Sequence, residues 1–271
     1  MKTTKIMKQQ PIAKPNPMKP TTMKLTLLLS AALGASLANG HAAAMLPIAA
    51  TGWNQDVVIG SGDTIAGRTA TMDGGNLGFT WYGVGFNAAA PTTGLPTGLT
   101  TSEDTPTDLS FQLQPFGTLA GGNVNNAIFQ GGTLTMTTPM PYIRLALIGS
   151  TGGGSSNMTV TVNYSSGPAQ VFGFNNAGVA RDWFGGAPTA FTAAGRIRVD
   201  DEVFNAVGSG EPRLYQSVFT LNNNVGNVTS VVITATGNNA VMAISGEAIP
   251  EVSSFALLGF SAIGFALRRR R

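Results

Sequence analysis

Two clusters hold most of the side chains able to do chemistry. Asp182, Trp183 and Phe184 are consecutive, and Arg196, Arg198, Asp200, Asp201 and Glu202 follow shortly after. A carboxylate beside an indole suits a sugar: the ring face packs on axial C–H groups and the carboxylate accepts hydroxyl hydrogen bonds. The same tripeptide equally suits a corner plug, with Trp183 buried and Asp182 tying a turn. Strand alternation places Arg196, Arg198 and Asp200 on one face, where an arginine fork could grip hydroxyls or a uronic acid. Asp200, Asp201 and Glu202 supply hard oxygen donors of the kind calcium takes, so structural calcium is the one cofactor the sequence admits. Without a ligand, the second cluster is a solvated strand carrying surface ion pairs of small net worth.

Much other chemistry is absent. The chain has no cysteine, and its single histidine, His41, lies in the apolar N-terminal region. A Ser-His-Asp triad or Cys-His pair cannot be built without them, nor can a histidine-ligated zinc or iron site. Hydrolysis of a glycosidic bond by two carboxylates survives the elimination. No spacing singles out a pair of acids for it, and the expectation is a protein that is not an enzyme. Between Met45 and Ile249 six arginines face twelve carboxylates, a net charge of −6, and all six lysines lie before residue 25. A mildly acidic domain without lysine has no electrostatic footprint for nucleic acid.

The elements that must position these residues are strands. Gly, Thr, Asn, Ser and Ala dominate, and short β-type runs recur every ten to fifteen residues or so, the pattern of a sandwich or barrel. Residues 143–148 are apolar apart from Arg144, as in a strand buried on both faces. In residues 158–164, Met158, Val160, Val162 and Tyr164 alternate with Thr159, Thr161 and Asn163, the period of a half-buried strand. Residues 170–174 read as its hairpin return. Residues 214–221 and 228–236 read as a second hairpin, and residues 87–106 and 149–156 as long loops. Trp53, Trp81 and Tyr82 read mainly as core, and Asp63, Asp73, Glu103, Asp104 and Asp108 as surface solubilisers.

Both ends read as addresses. Residues 1–24 contain six lysines and no acid, residues 25–37 are apolar, and small residues run on to Ala44. This is the form of a secretory signal peptide over residues 1–44, with Met18 or Met23 as alternative starts. At the other end Pro250 and Glu251 precede an apolar run, residues 253–267, and then Arg268, Arg269, Arg270 and Arg271. At about 1.5 Å per residue that run reaches only about 22 Å, short of a ~30 Å hydrocarbon core, which suits a transient membrane helix. The arginines belong on the cytoplasmic side.

This tripartite tail, residues 249–271, resembles the PEP-CTERM sorting signal of Gram-negative bacteria, departing from it at Val252, where Pro is commoner. A plain tail anchor is the alternative. The resemblance implies recognition of Pro250, Glu251 and the arginine cluster by an exosortase after Sec export and signal peptidase cleavage. It also implies delivery to the cell surface or an extracellular matrix. The order GWNQDVV, WYGVGFN, GLPTG, FQLQPF, NNAIF, DWF, LY, FTL and VTSVVIT resembles the body of such proteins. It implies an all-β jelly-roll-like sandwich over residues 45–248, similar in layout to galactose-binding-like carbohydrate modules, with polysaccharide as a candidate partner.

Overall fold

The computed structural model describes residues 44–60, 70–73, 78–86, 94–116, 124–199, 204–205, 212–223 and 226–249. Asp63, Asp200, Asp201, Glu202, Pro250, Glu251, Arg268, Arg269, Arg270, Arg271 and all of the expected signal peptide except Ala44 lie outside these residues. No helix among the described residues is long and apolar enough to cross a membrane.

The fold is all-β and sandwich-like. Eight strands carry it: β1 (Leu46–Pro47), β2 (Gly131–Met140), β3 (Tyr142–Gly152), β4 (Asn157–Tyr164), β5 (Gln170–Asn175), β6 (Arg213–Thr220), β7 (Val228–Ala235) and β8 (Asn238–Ala248). One sheet runs β1-β8-β3-β6, extended past β6 by Phe191–Thr192; Ile128–Phe129 also pairs with β8. The other runs β5-β4-β7-β2, extended by Ala50–Thr51. The pairings within both sheets are antiparallel.

Strand parity decides what each sheet faces. On β4, Met158, Val160 and Val162 are buried, while Thr159 is exposed and Thr161 half-buried. They meet Leu145, Leu147, Val231, Ile233 and Phe219 in a core between the two sheets. The central strands of the β1-β8-β3-β6 sheet, β3 and β8, are buried on both faces over most of their length. Ala146 and Ile148, the alternate residues of β3, pack into a second core with Trp81, Trp183, Leu214 and Met242. That core lies under a cap, whose small sheet is ordered Phe204–Asn205, Arg196–Arg198, Phe79–Tyr82, Val58–Ile59. The apolar run at residues 143–148 is thus buried on both faces, as its pattern requires. Arg144 is accommodated because Glu247 lies opposite on β8 and accepts from its Nε at 2.5 Å, while Asp108 accepts from Nη2 at 2.7 Å. Asp108 is therefore an ion-pair partner, and not the free solubiliser its loop position suggested.

Two other expectations are corrected. Residues 214–221 and 228–236 do not form a hairpin: β6 pairs with β3, and β7 pairs with β4 and β2. The linking segment crosses from one sheet to the other, so Phe219 and Val231 share the inter-sheet core. Residues 149–156 are not all loop, since β3 continues to Gly152, paired with Asn238 on β8. Glycine is required there by packing. A Cβ at Gly149 would stand 2.1 Å from the Ala240 carbonyl oxygen, and one at Gly152 would stand 2.1 Å from that of Met72.

Gly149→Ala should therefore force backbone apart in a central strand. A loss of about 3 kcal/mol is expected, at the upper end for overpacking, measured as a lowered urea midpoint. An unchanged midpoint would show that β3 and β8 can separate freely at this point.

Candidate functional site

The chemistry-bearing residues converge at the cap end of β3. Its last turn of backbone, Thr151, donates to the Arg181 carbonyl at 2.9 Å and accepts from Trp183 N–H at 2.7 Å. Arg213 N–H donates to the Trp183 carbonyl at 2.9 Å. The Asp182-Trp183-Phe184 segment is therefore pinned between β3 and β6, and the Trp183 side chain has only one way to go, into the cap core.

Trp183 is 1 % exposed. Its ring meets Trp81 edge-on at 5.4 Å and Phe184 edge-on at 5.6 Å. No face is left for a sugar ring, so the stacking role expected of Trp183 does not fit its position. Asp182 spends both carboxylate oxygens on turns: Oδ1 accepts from Phe184 N–H at 2.8 Å and Oδ2 from Gly154 N–H at 2.5 Å. This is the corner-plug geometry.

Arg196 and Arg198 share one face of their short strand, with Ile197 buried on the other. Arg196 is not an open fork. Arg196 lies over Phe79 with its guanidinium carbon 3.6 Å from the ring centroid, and is 4.9 Å from that of Phe184 and 5.7 Å from that of Trp183. Cation–π attraction suits such a position. Its Nη1 donates to Asp73 Oδ2 at 2.6 Å and its Nε to Asn205 Oδ1 at 3.3 Å. Asp73 also accepts from Gly153 N–H at 2.9 Å and from the Trp183 side chain. Read as a solubiliser from its loop, Asp73 is instead the hub of the cluster. Sequence offered no signal for this, because Asp73 and Arg196 are 123 residues apart.

The assembled site is an arginine held among aromatic rings, with two carboxylates gripping the glycine loop at Gly153 and Gly154. Burial dominates its electrostatics. Desolvation raises the Asp73 pKa above its ordinary 3.8, against the opposing pull of Arg196 and the hydrogen bonds. Desolvation likewise lowers that of Arg196, against the fields of Asp73 and Asp182. Both shifts favour the neutral forms, as expected when the cost of leaving water exceeds the Coulombic gain. Among the described residues this cluster holds a loop, with Arg196, Asp73 and Asp182 engaged inside the fold.

Among the described residues no group of three or more His, Cys, Asp or Glu is placed to hold a metal. The described surface has a groove of about 310 Å³ beside Ile48, Gln112 and Gln114, and a hollow of about 430 Å³ lined by Ser166, Gly167, Pro168, Gln170, Asn222 and Asn223. Neither is lined by Asp182, Trp183 or Arg196.

A third surface lies on the outward face of the neutral sheet, where the strand alternation places polar residues. The outward residues of the β5-β4-β7-β2 sheet include Thr133, Thr135, Thr159, Thr161, Ser230 and Thr234. Register sets Thr159 beside Thr234 and Ser230 beside Thr135, while Val232 stands between Thr161 and Thr133. None of the five strands of this sheet contains a charged residue. No protein-family model and no curated protein sequence matches the chain.

The Asp73 shift has a sign that can be measured. In the folded protein the carboxyl keeps its proton to higher pH than in the unfolded chain. Its contribution to stability is thus present in acid and lost as pH rises through the raised folded value. Relative to Asp73→Asn, the wild-type protein should gain stability as pH falls toward 3.8. Paired urea titrations over the acid range measure the gap. A gap that widens with rising pH would mean that attraction to Arg196 outweighs burial.

Proposed function

We propose that this chain is an exported surface or matrix protein, sorted by an exosortase, whose sandwich acts by presenting surfaces and not by catalysis. The observation carrying this reading is the tripartite tail: Pro250-Glu251, a short apolar run, and Arg268, Arg269, Arg270 and Arg271. The ordered sandwich spans the interval between the two expected addresses. Its last strand ends at Ala248, and Ile249 N–H still donates to the Pro141 carbonyl at 3.2 Å. Processing near Glu251 would then release a finished domain without cutting into it.

The jelly-roll reading of the fold belongs with this proposal. It is supported by strand order: β1-β8-β3-β6 facing β2-β7-β4-β5 is the arrangement of a double Greek key. Consecutive long strands β2 and β3, and β6 and β7, change sheets as that arrangement demands.

A specific observation favours carbohydrate binding as a second reading, and it moves the binding surface. The neutral threonine face, not Trp183, is the surface suited to an uncharged polyhydroxylated chain. Hydroxyls there are spaced by the ~4.8 Å between strands and about 6.7 Å along them. Each can donate or accept, and no buried charge has to be desolvated when a neutral glycan covers them.

Two measurements test these readings separately. Deleting Arg268 through Arg271 in the producing cell should leave uncleaved precursor at the inner membrane on an immunoblot; processing indistinguishable from wild type would remove the sorting proposal. For the glycan reading, the full chain should be retained on neutral polysaccharides such as cellulose or dextran. Thr161→Lys should weaken that retention at least tenfold, a lost hydrogen bond plus an uncompensated charge, with Asp182→Asn unchanged. Equal retention of wild type and Thr161→Lys would sink it.

A further inference from the structure

The open edge of the neutral sheet is built to meet itself. Strand β5 pairs with β4 on one side, and among the described residues no strand pairs with its other side. The register fixes which backbone groups point outward. Asn157 is opposite Asn175, and Asn176 N–H donates to the Ser156 carbonyl at 3.1 Å in the same frame. In an antiparallel ladder hydrogen-bonded pairs recur at every second residue. Gln170, Phe172 and Phe174 therefore bond toward β4. Val171, Gly173 and Asn175 turn their N–H and C=O groups to the free edge.

Natural edge strands are usually blunted by charge, proline or a bulge. This one, QVFGFN, has neither charge nor proline, and its pairing with β4 is unbroken by a bulge. A phenylalanine flanks Gly173 on either side, Phe172 and Phe174. Phe172 and Phe174 lean inward onto Phe219, at centroid distances of 4.5 and 6.0 Å, yet both remain half-buried at the open end of the core.

We infer that β5 is a homotypic docking edge, joining two copies of this chain into one continuous sheet about a twofold axis through Gly173. In that register Gly173 meets the second copy's Gly173, and Val171 meets the second copy's Asn175. All three outward residues of each strand then exchange both backbone bonds with a counterpart. Phe172 falls opposite the second copy's Phe174 at a non-hydrogen-bonded pair, the closer kind, where cross-strand aromatic contacts form. Parity is kept, so both inner faces lie on the same side and the two cores become neighbours. The interface is isologous and closes at two. Neutrality argues for a second copy as the occupant, since no like charges are brought together in a strand that pairs with itself. This goes beyond the surface reading above and uses a different part of the sheet from the threonine face.

The test uses the full chain purified from producing cells in mild detergent. Sedimentation should show a concentration-dependent dimer. The chain has no cysteine, and an added Cβ at Gly173 meets nothing within 4 Å. Gly173→Cys should therefore be tolerated, and the facing Cα atoms, about 5.5 Å apart, fall within disulfide reach. Mild oxidation should link Gly173→Cys into dimers at least ten times faster than Thr133→Cys, which lies on the same sheet three strands away. Gly173→Pro removes only an outward N–H and should shift the protein to monomer with an unchanged circular dichroism spectrum. A monomer at every concentration, equal cross-linking of the two cysteine variants, or an undiminished Gly173→Pro dimer would each overturn the inference.

Discussion

The two central strands of the β1-β8-β3-β6 sheet, β3 and β8, keep almost no face in water, and most of the architecture follows from that. A sheet buried on one side can alternate apolar and polar residues. A sheet buried on both must carry side chains that are small, apolar or paired within the fold, as Asn239 and Glu247 are, and leave no backbone group unpaired. β3 and β8 comply: from Leu145 to Gly152 and from Asn239 to Glu247 every residue is buried. One face of this layer is covered by the partner sheet, the other by irregular chain drawn from far apart in sequence. Met72, Trp81 and Trp183 arrive from separate stretches of chain to do it, and meet Leu214 of β6 in the sheet itself.

The cap pays in polarity for what it covers. Segments with little regular pairing bring backbone donors that need acceptors, and the carboxylates of Asp73 and Asp182 take those of Gly153, Gly154 and Phe184. Arg196 balances Asp73, yet both shifts show burial outweighing the attraction between them. The cluster is better understood as a latch on the glycine loop at the end of β3 than as a source of net stability. Its specificity is geometric: two carboxylates, each fixed at both oxygens, determine where the loop lies and where the Trp183 ring points. Such a group looks like a binding site in sequence because structural and ligand-binding polar clusters draw on the same residue types.

What the sequence made legible was whatever repeats locally. The period of two in β4, its return as β5, and the double burial of β3 are written in adjacent residues, and so was the possibility that Asp182-Trp183-Phe184 is a plug. What it concealed depends on contacts between distant segments. Nothing near Asp73 announces Arg196, and nothing near Asp108 announces Arg144. The false hairpin of β6 and β7 has the same origin: two strand-like runs joined by a short Asn-rich link look alike whether they pair or cross to opposite sheets. Only the demand that Phe219 and Val231 face each other across a core separates the cases. The glycines of residues 149–152 misled for a related reason. They look like loop composition, and two of them stand where neighbouring backbone leaves no room for a side chain.

Charge is segregated as a consequence of this layering, and the segregation bears on how copies of the chain can meet. Every described charged residue lies outside the β5-β4-β7-β2 sheet. Approach of two copies through that sheet therefore brings none of the described charges of its strands together. On its broad face the hydroxyls, interrupted by exposed Val171 and half-buried Val232, are already satisfied by water, so covering them with another protein gains little. On its edge the exposed groups are backbone donors and acceptors in strand register beside incompletely buried phenylalanines, which gain both hydrogen bonds and apolar burial from a matching strand. The same absence of charge thus gives the face and the edge different tendencies: the face favours a hydrated, uncharged polymer, and the edge favours another β-strand.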